Sequence, residues 1–353
     1  MYKFLLYTVP LQTRSQIIRR SISSETKGAN GKRKQKTEEM EARYDYNRCW
    51  QPVKDQFPEK IPKLSTFKVV SYNILAQDLL LEHLCLYMGI KQEFLTWRRR
   101  QQNLLRELIR LDPDILCLQE MQFDHLSLLV QGLRMGNGKK LAYVYKKKTG
   151  HRTDGCAIIY DSSKFELLDQ RSVELHDQNI ALLNRENVAL FARFRFKKVQ
   201  EQQMDFIVAT THLLYNPKRG DVRCAQVGRI LEELNTFSTD TPIILTGDFN
   251  SEPDSSPIEL LVEKKVGMEA ETNSSSLRFE IINPGKSTAS TYQDDWITVD
   301  YILRSLGSRS RHEVLPISVY SLPSIKSCYK VGKIPNHYLG SDHYALGAIF
   351  TVV

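Results

Sequence analysis

Residues Thr246-Gly247-Asp248-Phe249-Asn250 follow the apolar run Pro242-Ile243-Ile244-Leu245. The apolar run predicts a buried strand that ends with an acid and an amide. Side chains alternate along a strand with a period of two, so we expect Asp248 and Asn250 to point the same way. Such a pair could act on a water molecule and hold a phosphate. Taken alone, the stretch also fits a strand running into a turn, with Asp248 capping a helix from Ser255 onward.

Polar side chains recur at the ends of other apolar runs along the chain. They are Asn73, Glu120 and His212, Asp300 within the run 298–303, and Asp342-His343 before the run 345–350. Asp300 is the least usual, because a buried carboxylate needs a partner. Each residue taken singly also fits a turn, a helix cap or a buried histidine. Their recurrence at successive strand ends favours one shared site.

The coarse pattern alternates strands with helices and predicts packed α/β layers. Strands are predicted at 67–75, 114–120, 141–147, 155–160, 187–197, 204–213, 242–249, 298–304, 314–320 and 343–352, and helices at 96–111, 123–134, 222–237 and 256–264. On the first helix, Arg98 to Arg100 are expected to face solvent. The stretch 269–289 is rich in Ser, Thr, Asn and Gly, which predicts a mobile loop.

The set of motifs resembles the exonuclease–endonuclease–phosphatase superfamily of magnesium-dependent phosphodiesterases, over about residues 67–353. The phrases SYNILAQD at 71–78 and THLLYNP at 211–217 are most similar to the branch that contains carbon-catabolite-repressor-type deadenylases, nocturnin and the Angel proteins, and they favour the Angel subgroup. The resemblance implies a four-layer α/β sandwich, in which two facing mixed sheets lie between outer helices. The motif residues would then meet at one edge of the sandwich.

The resemblance implies a metal side of the site. Glu120, Asp342 and Asn73 would hold Mg²⁺, with Mn²⁺ as the alternative ion, since hard cations prefer oxygen ligands. Asn73 would also contact the substrate. Some nucleases of the superfamily carry an acid two positions after this Asn, where the present chain has Leu75. Ligation of one metal ion through Glu120 is therefore better supported than a two-metal scheme.

The resemblance also implies the catalytic roles. Asp248 would orient or deprotonate the attacking water, and Asn250 would hold a phosphate oxygen. His343 would contact the scissile phosphate, with Asp300 fixing its tautomer. His212 would donate to the developing negative charge.

Three further residues are candidates for substrate binding. Deadenylases are expected to place a base-stacking aromatic residue five positions before Asp300, where this chain has Asp295. Trp296 follows directly and could stack on a base. An acid at the stacking position favours an RNA 3′ end other than poly(A). After His212, Arg223 is a candidate phosphate ligand and Pro217 would stiffen the intervening loop.

The Angel resemblance implies hydrolysis of 2′,3′-cyclic phosphates at RNA 3′ ends. One alternative is a 3′→5′ exoribonuclease that acts on poly(A). Another is a catalytically silent adaptor for RNA or for a translation factor. The nearest match to a cap-binding-protein partner motif, Tyr301 to Leu306, lies in a predicted strand, and no catalytic motif residue is missing. These two observations favour an enzyme. No protein partner is indicated.

The charge is concentrated at the N-terminus. Residues 1–60 carry 13 Lys and Arg against 7 Asp and Glu, a net +6 of the total +8, which leaves +2 for the rest. We therefore predict a basic, disordered tail at 1–60 and an endonuclease/exonuclease/phosphatase domain at 61–353. So small an excess of positive charge on the domain fits a local phosphate site better than an extended nucleic-acid groove.

Residues 1–24 contain four basic residues and no acid, and they resemble a mitochondrial presequence. The alternative is a disordered basic tail. The six cysteines show no metal-ligand spacing, which is typical of a reducing, intracellular compartment, the cytoplasm or the nucleus. No apolar run is long enough to span a membrane.

Overall fold

The computed structural model describes residues 48–53, 65–197, 204–238, 240–262, 277–282, 285, 287–306 and 312–353. All of them lie within one compact unit, Asn47–Val353. The predicted presequence at 1–24 and residues 269–276 of the predicted loop lie outside the described residues.

The described residues form two large sheets and one small one. The first sheet runs in the order β1 (Trp50–Pro52), β14 (Val314–Tyr320), β15 (Leu346–Val352), β2 (Ser65–Asn73), β3 (Ile115–Gln122), β5 (Asp154–Asp161) and β4 (Leu141–Lys147). The second runs in the order β10 (Arg278–Ile281), β13 (Asp300–Leu306), β9 (Ile243–Asp248), β8 (Asp205–His212), β7 (Val188–Phe196) and β6 (Phe165–Glu174). A hairpin pairs β11 (Thr291–Gln293) with β12 (Asp295–Ile297).

The helices of the described residues are α1 (Gln77–Glu82), a 3-10 helix (Leu84–Tyr87), α2 (Gln92–Leu95), α3 (Trp97–Leu111), α4 (Phe123–Asn137), α5 (Gly220–Ser238), α6 (Ser256–Val262) and α7 (Ile325–Val331). The four predicted helices correspond to α3, α4, α5 and α6. No helix of the described residues is long and apolar enough to cross a membrane.

The elements form four layers, because each sheet and each helix packs its apolar face against a neighbour. Aromatic rings fill the space between the sheets, where Phe67 of the first sheet lies 4.5 Å from Phe206 of the second, centroid to centroid. Leucines of α3 and α4 pack on the outer face of the first sheet. Apolar residues of α5 and α6 pack on the outer face of the second. The predicted sandwich, two mixed sheets with helices outside, is confirmed.

Parallel pairing brings the motif-bearing strand ends together. β2 runs parallel to β3, with Asn73 opposite Gln119, and β8 runs parallel to β9, with His212 opposite Asp248. Helices α3 and α5 make the crossover connections that parallel neighbours require. β13 runs antiparallel to β9, so its first residue, Asp300, lies opposite Asp248.

Several sequence-based predictions need correction. Residues 48–53 were assigned to the tail, yet β1 pairs with β14 and Arg48 forms a buried ion pair with Glu107. Strand β6 was missed because it is a largely exposed edge strand with few apolar residues. Part of the predicted mobile loop is strand β10, whose Phe279 is fully buried. Arg100 was expected to face solvent and is also fully buried.

Candidate active site

Asp248 lies at the centre of a buried polar cluster, at the end of β9. The preceding Gly247 has φ +146, and a Cβ there would lie 2.1 Å from the carbonyl oxygen of Thr211 on β8. Only glycine allows the two strands to approach so closely at this point. The glycine of the opening sequence motif therefore sets the spacing of β8 and β9 beside the acid.

Asn73 bridges the two sheets through its amide nitrogen. Its Nδ2 donates to Oε1 of Glu120 at 3.0 Å and to Oδ2 of Asp248 at 2.9 Å. Its Oδ1 accepts from the backbone N–H of Leu75 at 3.0 Å. Asn73 thus presents its nitrogen to both carboxylates. This arrangement argues against the predicted role of Asn73 as a metal ligand.

Glu120 reaches the site from a bulge within β3. The pairing of β3 with β5 shifts between Leu118 and Met121, and Glu120 has φ +56. Bulges of this kind redirect a side chain next to an active site. The prediction that Glu120 ends its strand was wrong, because β3 continues to Gln122. The backbone N–H of Ala76 donates to the second oxygen, Oε2, at 2.9 Å.

His343 and Asp300 form a buried hydrogen-bonded pair. Nδ1 of His343 donates to Oδ2 of Asp300 at 2.8 Å, which leaves Nε2 facing Oδ2 of Asp248 at 3.7 Å. Burial disfavours a charged imidazole, but the charges of Asp300 and Asp248 outweigh it and raise the pKa of His343 well above its usual value. The partner expected for the buried Asp300 is therefore His343.

His212 faces Asp248 from the neighbouring strand β8 and has a second contact that was not predicted from the sequence. Its Nε2 lies 3.6 Å from Oδ2 of Asp248, and its Nδ1 lies 3.4 Å from Nζ of Lys148. Lys148 is buried and pairs with Asp154 at 2.7 Å. Burial and Lys148 lower the pKa of His212 well below its usual value. A neutral His212 that accepts from Lys148 carries its proton on Nε2, towards Asp248.

Asp342 is held by a residue that lies outside the sequence motifs. The hydroxyl of Tyr87 donates to Oδ2 of Asp342 at 2.7 Å. The hydroxyl of Ser341 donates to the carbonyl oxygen of Asn73 at 2.6 Å, which ties the loop before Asp342 to the end of β2. Strand β15 begins at Leu346, so Asp342 and His343 both lie in this loop, and His343 does not belong to the strand predicted at 343–352.

Asn250 joins the cluster through a turn. Strand β9 ends at Asp248, and Asn250 has φ +47. Its backbone N–H donates to Oδ1 of Asp248 at 2.9 Å, and its Nδ2 donates to the carbonyl oxygen of Leu213 at 3.0 Å. The argument from strand alternation was therefore wrong for Asn250, although the residue does contact Asp248.

The electrostatics of the cluster suit a bound cation. Burial, together with the charge of Asp342, raises the pKa of Glu120, and burial, together with Asp300, raises the pKa of Asp248 to about 7. Like charges held together away from water destabilise one another unless a cation compensates them. Glu120 and Asp342 offer the oxygen atoms that Mg²⁺ prefers. They therefore fit a hard divalent ion.

A second acidic group could hold a metal by distance alone. Ligand atoms of Asp248, Asp300 and His343 lie within 4.8 Å of one another, and all three residues are buried. Metal binding through Nδ1 of His343 would displace its 2.8 Å hydrogen bond to Asp300, and binding through Nε2 would use the nitrogen that faces Asp248. We therefore favour Glu120 and Asp342 as the metal side.

Arg100 braces the loops around the metal side. Its guanidinium donates to the carbonyl oxygens of Ile74 at 2.9 Å, Leu75 at 2.6 Å and Gly340 at 2.8 Å. The first two residues precede Ala76, which binds Glu120, and Gly340 precedes Ser341. The sequence placed Arg100 on a solvated face because the buried carbonyl groups that it binds come from distant parts of the chain.

Arg223 holds the loop that follows His212, and Pro217 lies on that loop. The Arg223 side chain is 5% exposed and donates to Oγ of Ser251 and to the carbonyl oxygens of Leu214, Asn216 and Pro217. This arrangement argues against the prediction that Arg223 binds a phosphate, because its donors hold the loop after His212. Pro217 is exposed on that loop.

Trp296 is buried among other aromatic rings. It is 4% exposed, and its ring lies 5.2 Å from Tyr292 and 5.9 Å from Tyr344, centroid to centroid. Such packing argues against its predicted stacking on a base. Tyr215 is 53% exposed. Partial burial is the largest cause that raises the pKa of its hydroxyl, and the charges of Asp294 and Asp342 raise it further. Tyr215 is thus an exposed aromatic ring, three residues after His212, that sequence reasoning did not select.

The chain matches known proteins along most of its length. The family described as Endonuclease/Exonuclease/phosphatase family matches residues 70–343. Protein angel of Drosophila melanogaster is 72% identical over 354 residues, covering 100% of both chains. The crystal structure of ANGEL2, described as a 2′,3′-cyclic phosphatase in complex with adenosine-2′,3′-vanadate, is 29% identical with a TM-score of 0.72 and covers 87% of this chain and 99% of that one.

The catalytic domain of human Nocturnin, solved with a bound sulfate anion, has a TM-score of 0.63 at 23% identity, covering 88% of this chain and 99% of that one. At this identity the likeness concerns the fold alone. The resemblance drawn from the sequence motifs, including the Angel subgroup, is confirmed. The chain belongs to the Endonuclease/Exonuclease/phosphatase family.

Proposed function

We propose that this protein hydrolyses 2′,3′-cyclic phosphates at RNA 3′ ends. The observation that carries the proposal is that two imidazoles face one carboxylate. The pKa of one imidazole is raised and the pKa of the other is lowered. Nε2 of His212 and Nε2 of His343 lie 3.6 and 3.7 Å from the same oxygen of Asp248. The likeness to ANGEL2, described as a 2′,3′-cyclic phosphatase, supports this substrate class.

Glu120 and Asp342 would hold Mg²⁺ at the edge of the two sheets. When bound, the ion neutralises charge on the phosphate oxygens and positions the scissile group. Asn73 keeps Glu120 and Asp248 at a fixed separation, because one amide nitrogen donates to both. The remaining residues of the cluster can then act on a phosphate at a defined place.

Asp248 would accept a proton from the attacking water. Its Oδ1 is held by the N–H of Asn250, while Oδ2 faces the two imidazoles. A base works best when its pKa lies near the working pH. Burial and Asp300 raise the pKa of Asp248 to about 7, which suits that role.

The two imidazoles would stabilise the transition state. His343 carries positive charge, since Asp300 holds its Nδ1–H, and would donate from Nε2 to a phosphate oxygen. His212 stays neutral and would donate from its own Nε2. In the first hydrolysis the water oxygen bonds to phosphorus as its proton passes to Asp248, one ribose P–O bond breaks, and the departing ribose oxygen takes up a proton to become a hydroxyl. A second hydrolysis would release phosphate and leave the RNA at full length.

Two observations weigh against action on poly(A). Asp295 occupies the expected stacking position, and its Oδ1 accepts from the hydroxyl of Tyr329 at 2.7 Å. Trp296 is buried, as described above. Against a silent adaptor, the motif residues are joined by hydrogen bonds or by ion-pair contacts of 3.6 to 4.0 Å. These residues are Asn73, Glu120, His212, Asp248, Asn250, Asp300 and His343.

The products formed from two labelled RNAs test the proposal. Both RNAs share one sequence and a 5′ label; one ends in a 2′,3′-cyclic phosphate and the other in a 3′-hydroxyl A-tail. We expect the cyclic end to disappear at full RNA length, with release of inorganic phosphate. EDTA should stop the reaction and added Mg²⁺ should restore it.

The His343→Gln variant is the matched control, since it keeps a polar side chain of similar length without an ionisable ring. A contaminating nuclease would act equally in both preparations. A ladder of shortened A-tails in the wild type alone would replace the proposal with deadenylation. If neither RNA changed, the adaptor alternative would stand.

A further inference from the structure

Tyr87 reaches the candidate metal site from a surface segment. It ends the 3-10 helix Leu84–Tyr87, in the connection between β2 and α3. Its side chain is 7% exposed and packs in a small apolar cluster with Leu75, Leu80 and Leu95. From this cluster its hydroxyl donates to Oδ2 of Asp342 at 2.7 Å. The ring is thus anchored by packing and the hydroxyl by a carboxylate 255 residues away in the chain.

The hydrogen bond from Tyr87 gives the two carboxylate oxygens of Asp342 different surroundings. Among the described residues, Oδ1 has a long contact with Oγ of Ser341 at 3.4 Å. Ser341 has one hydroxyl hydrogen, and it is used on the carbonyl oxygen of Asn73 at 2.6 Å. Oδ1 is therefore the oxygen better placed to bind a cation, and Oδ2 is the one that Tyr87 holds.

Tyr87 is the donor in its hydrogen bond to Asp342. Burial, and next the charge of Asp342, raise the pKa of the Tyr87 hydroxyl far above its usual value. A neutral phenol cannot itself bind Mg²⁺ well, but it can hold a carboxylate that does. Hydrogen bonds of this kind to metal ligands are worth about 10–100-fold in metal affinity or activity.

Tyr87 lies in a surface segment, residues 81–88, that exposes several apolar side chains. Four large apolar side chains around Tyr87 are exposed, by 49 to 71%: Leu81, Leu84, Leu86 and Met88. Outside the small cluster, residues 81–88 are tied by a hydrogen bond from Nζ of Lys333 to the carbonyl oxygen of Met88 and by an ion pair of Glu82 with Arg152 at 3.9 Å. The orientation of Asp342 thus depends on how this segment docks.

We propose that Tyr87 is a positioning residue for Asp342, fixing Oδ2 so that Oδ1 is directed to the divalent cation. The proposal deepens the proposed function and rests on it only in taking Asp342 as a ligand of that ion. Loss of the hydroxyl weakens metal binding and leaves the chemistry intact once metal is saturating.

The test is Tyr87→Phe, which keeps the ring and its packing. Binding of Mn²⁺ is measured by calorimetry on the purified full chain without RNA. We expect a Kd about 10–100-fold weaker than in the wild type, with little change in melting temperature. With cyclic-phosphate RNA, the Mg²⁺ concentration for half-maximal rate rises by a similar factor, and kcat at saturating Mg²⁺ stays near that of the wild type.

Tyr72→Phe is the matched control. The hydroxyl of Tyr72 is also buried and also donates to a carboxylate, Oε2 of Glu107 at 3.0 Å, away from the cluster. Equal Mn²⁺ affinity in Tyr87→Phe and the wild type overturns the proposal, as does an equal loss in both variants. Mn²⁺ binding needs no substrate. A protein that binds Mn²⁺ but does not hydrolyse cyclic-phosphate RNA would therefore refute the proposed function and leave the role of Tyr87 standing.

Discussion

Nδ1 of His343 lies 2.8 Å from Oδ2 of Asp300, and Asp300 lies directly opposite Asp248 in the pairing of β13 with β9. The register of two neighbouring strands therefore determines where the imidazole points. A shift of one residue would move Asp300 to the other face of the sheet. The orientation of His343 over Asp248 is built into the strand pairing.

Asp300→Asn should reduce catalysis without unfolding the domain. The amide keeps the shape but removes the charge that orients His343 and keeps it protonated. We expect kcat for cyclic-phosphate RNA to fall by about 10²–10⁴-fold, in the range for loss of an acid–base group. Asp205→Asn, which removes a partly exposed partner of Arg195 at the other end of β8, is the control and should keep its rate. Equal rates in the two variants would refute the role of Asp300.

Glu120→Gln should weaken metal binding and stabilise the metal-free protein. Burial and the charge of Asp342 raise the pKa of Glu120, so its ionised form is unfavourable in the absence of a cation. In EDTA we expect the variant to melt at or above the wild-type temperature. Added Mg²⁺ should raise the wild-type melting temperature more than that of the variant. A variant that melts lower in EDTA and gains equally from Mg²⁺ would contradict this account.

Asp248 gives the metal-free protein a specific pH dependence. Its folded pKa of about 7 lies above the usual value of about 3.9, so between these pH values the native state holds a proton that the unfolded state has lost. Its contribution to stability is therefore fully present below about pH 4 and falls as the pH rises towards about 7. In EDTA, wild type should lose melting temperature relative to Asp248→Asn across this window. Parallel curves would show that Asp248 titrates normally.

Tyr215 and Trp296 should respond to truncation in opposite ways. Base stacking is worth about 1–3 kcal/mol, so Tyr215→Ala should raise KM by about 5–150-fold with a smaller effect on kcat, and Tyr215→Phe should restore it. Trp296→Ala empties a packed site and should cost about 3–5 kcal/mol in the free energy of unfolding. Kinetics and denaturant unfolding measure the two effects. An unchanged KM in Tyr215→Ala would remove Tyr215 from substrate binding.

The sequence allowed most of the architecture to be predicted, because residues at the ends of parallel strands meet at one sheet edge. Asn73, His212 and Asp248 are the last residues of their strands, and Asp300 is the first of its own. The apolar runs alone predict the first three positions closely, whereas Asp300 was expected inside its strand and instead begins it. The resemblance to a known family added the roles and the layer arrangement.

Local backbone geometry and distant contacts could not be predicted in the same way. Glu120 depends on a bulge and Asn250 on a positive φ, and neither departs from an ordinary strand pattern in sequence. Tyr87, Lys148 and Arg100 contact the site or its loops from segments far away in the chain. Such contacts depend on packing in three dimensions, which spacing along the chain does not report.

The central claim is that Asp248 activates water in a centre that hydrolyses cyclic phosphates. The most direct test is the single-turnover rate on 2′,3′-cyclic-phosphate RNA at saturating Mg²⁺, for wild type and Asp248→Asn, with melting temperature as the check on folding. We predict that the wild type opens and removes the cyclic phosphate, while the folded variant is slower by at least about 10²-fold. A folded Asp248→Asn protein that keeps the wild-type rate would contradict the account.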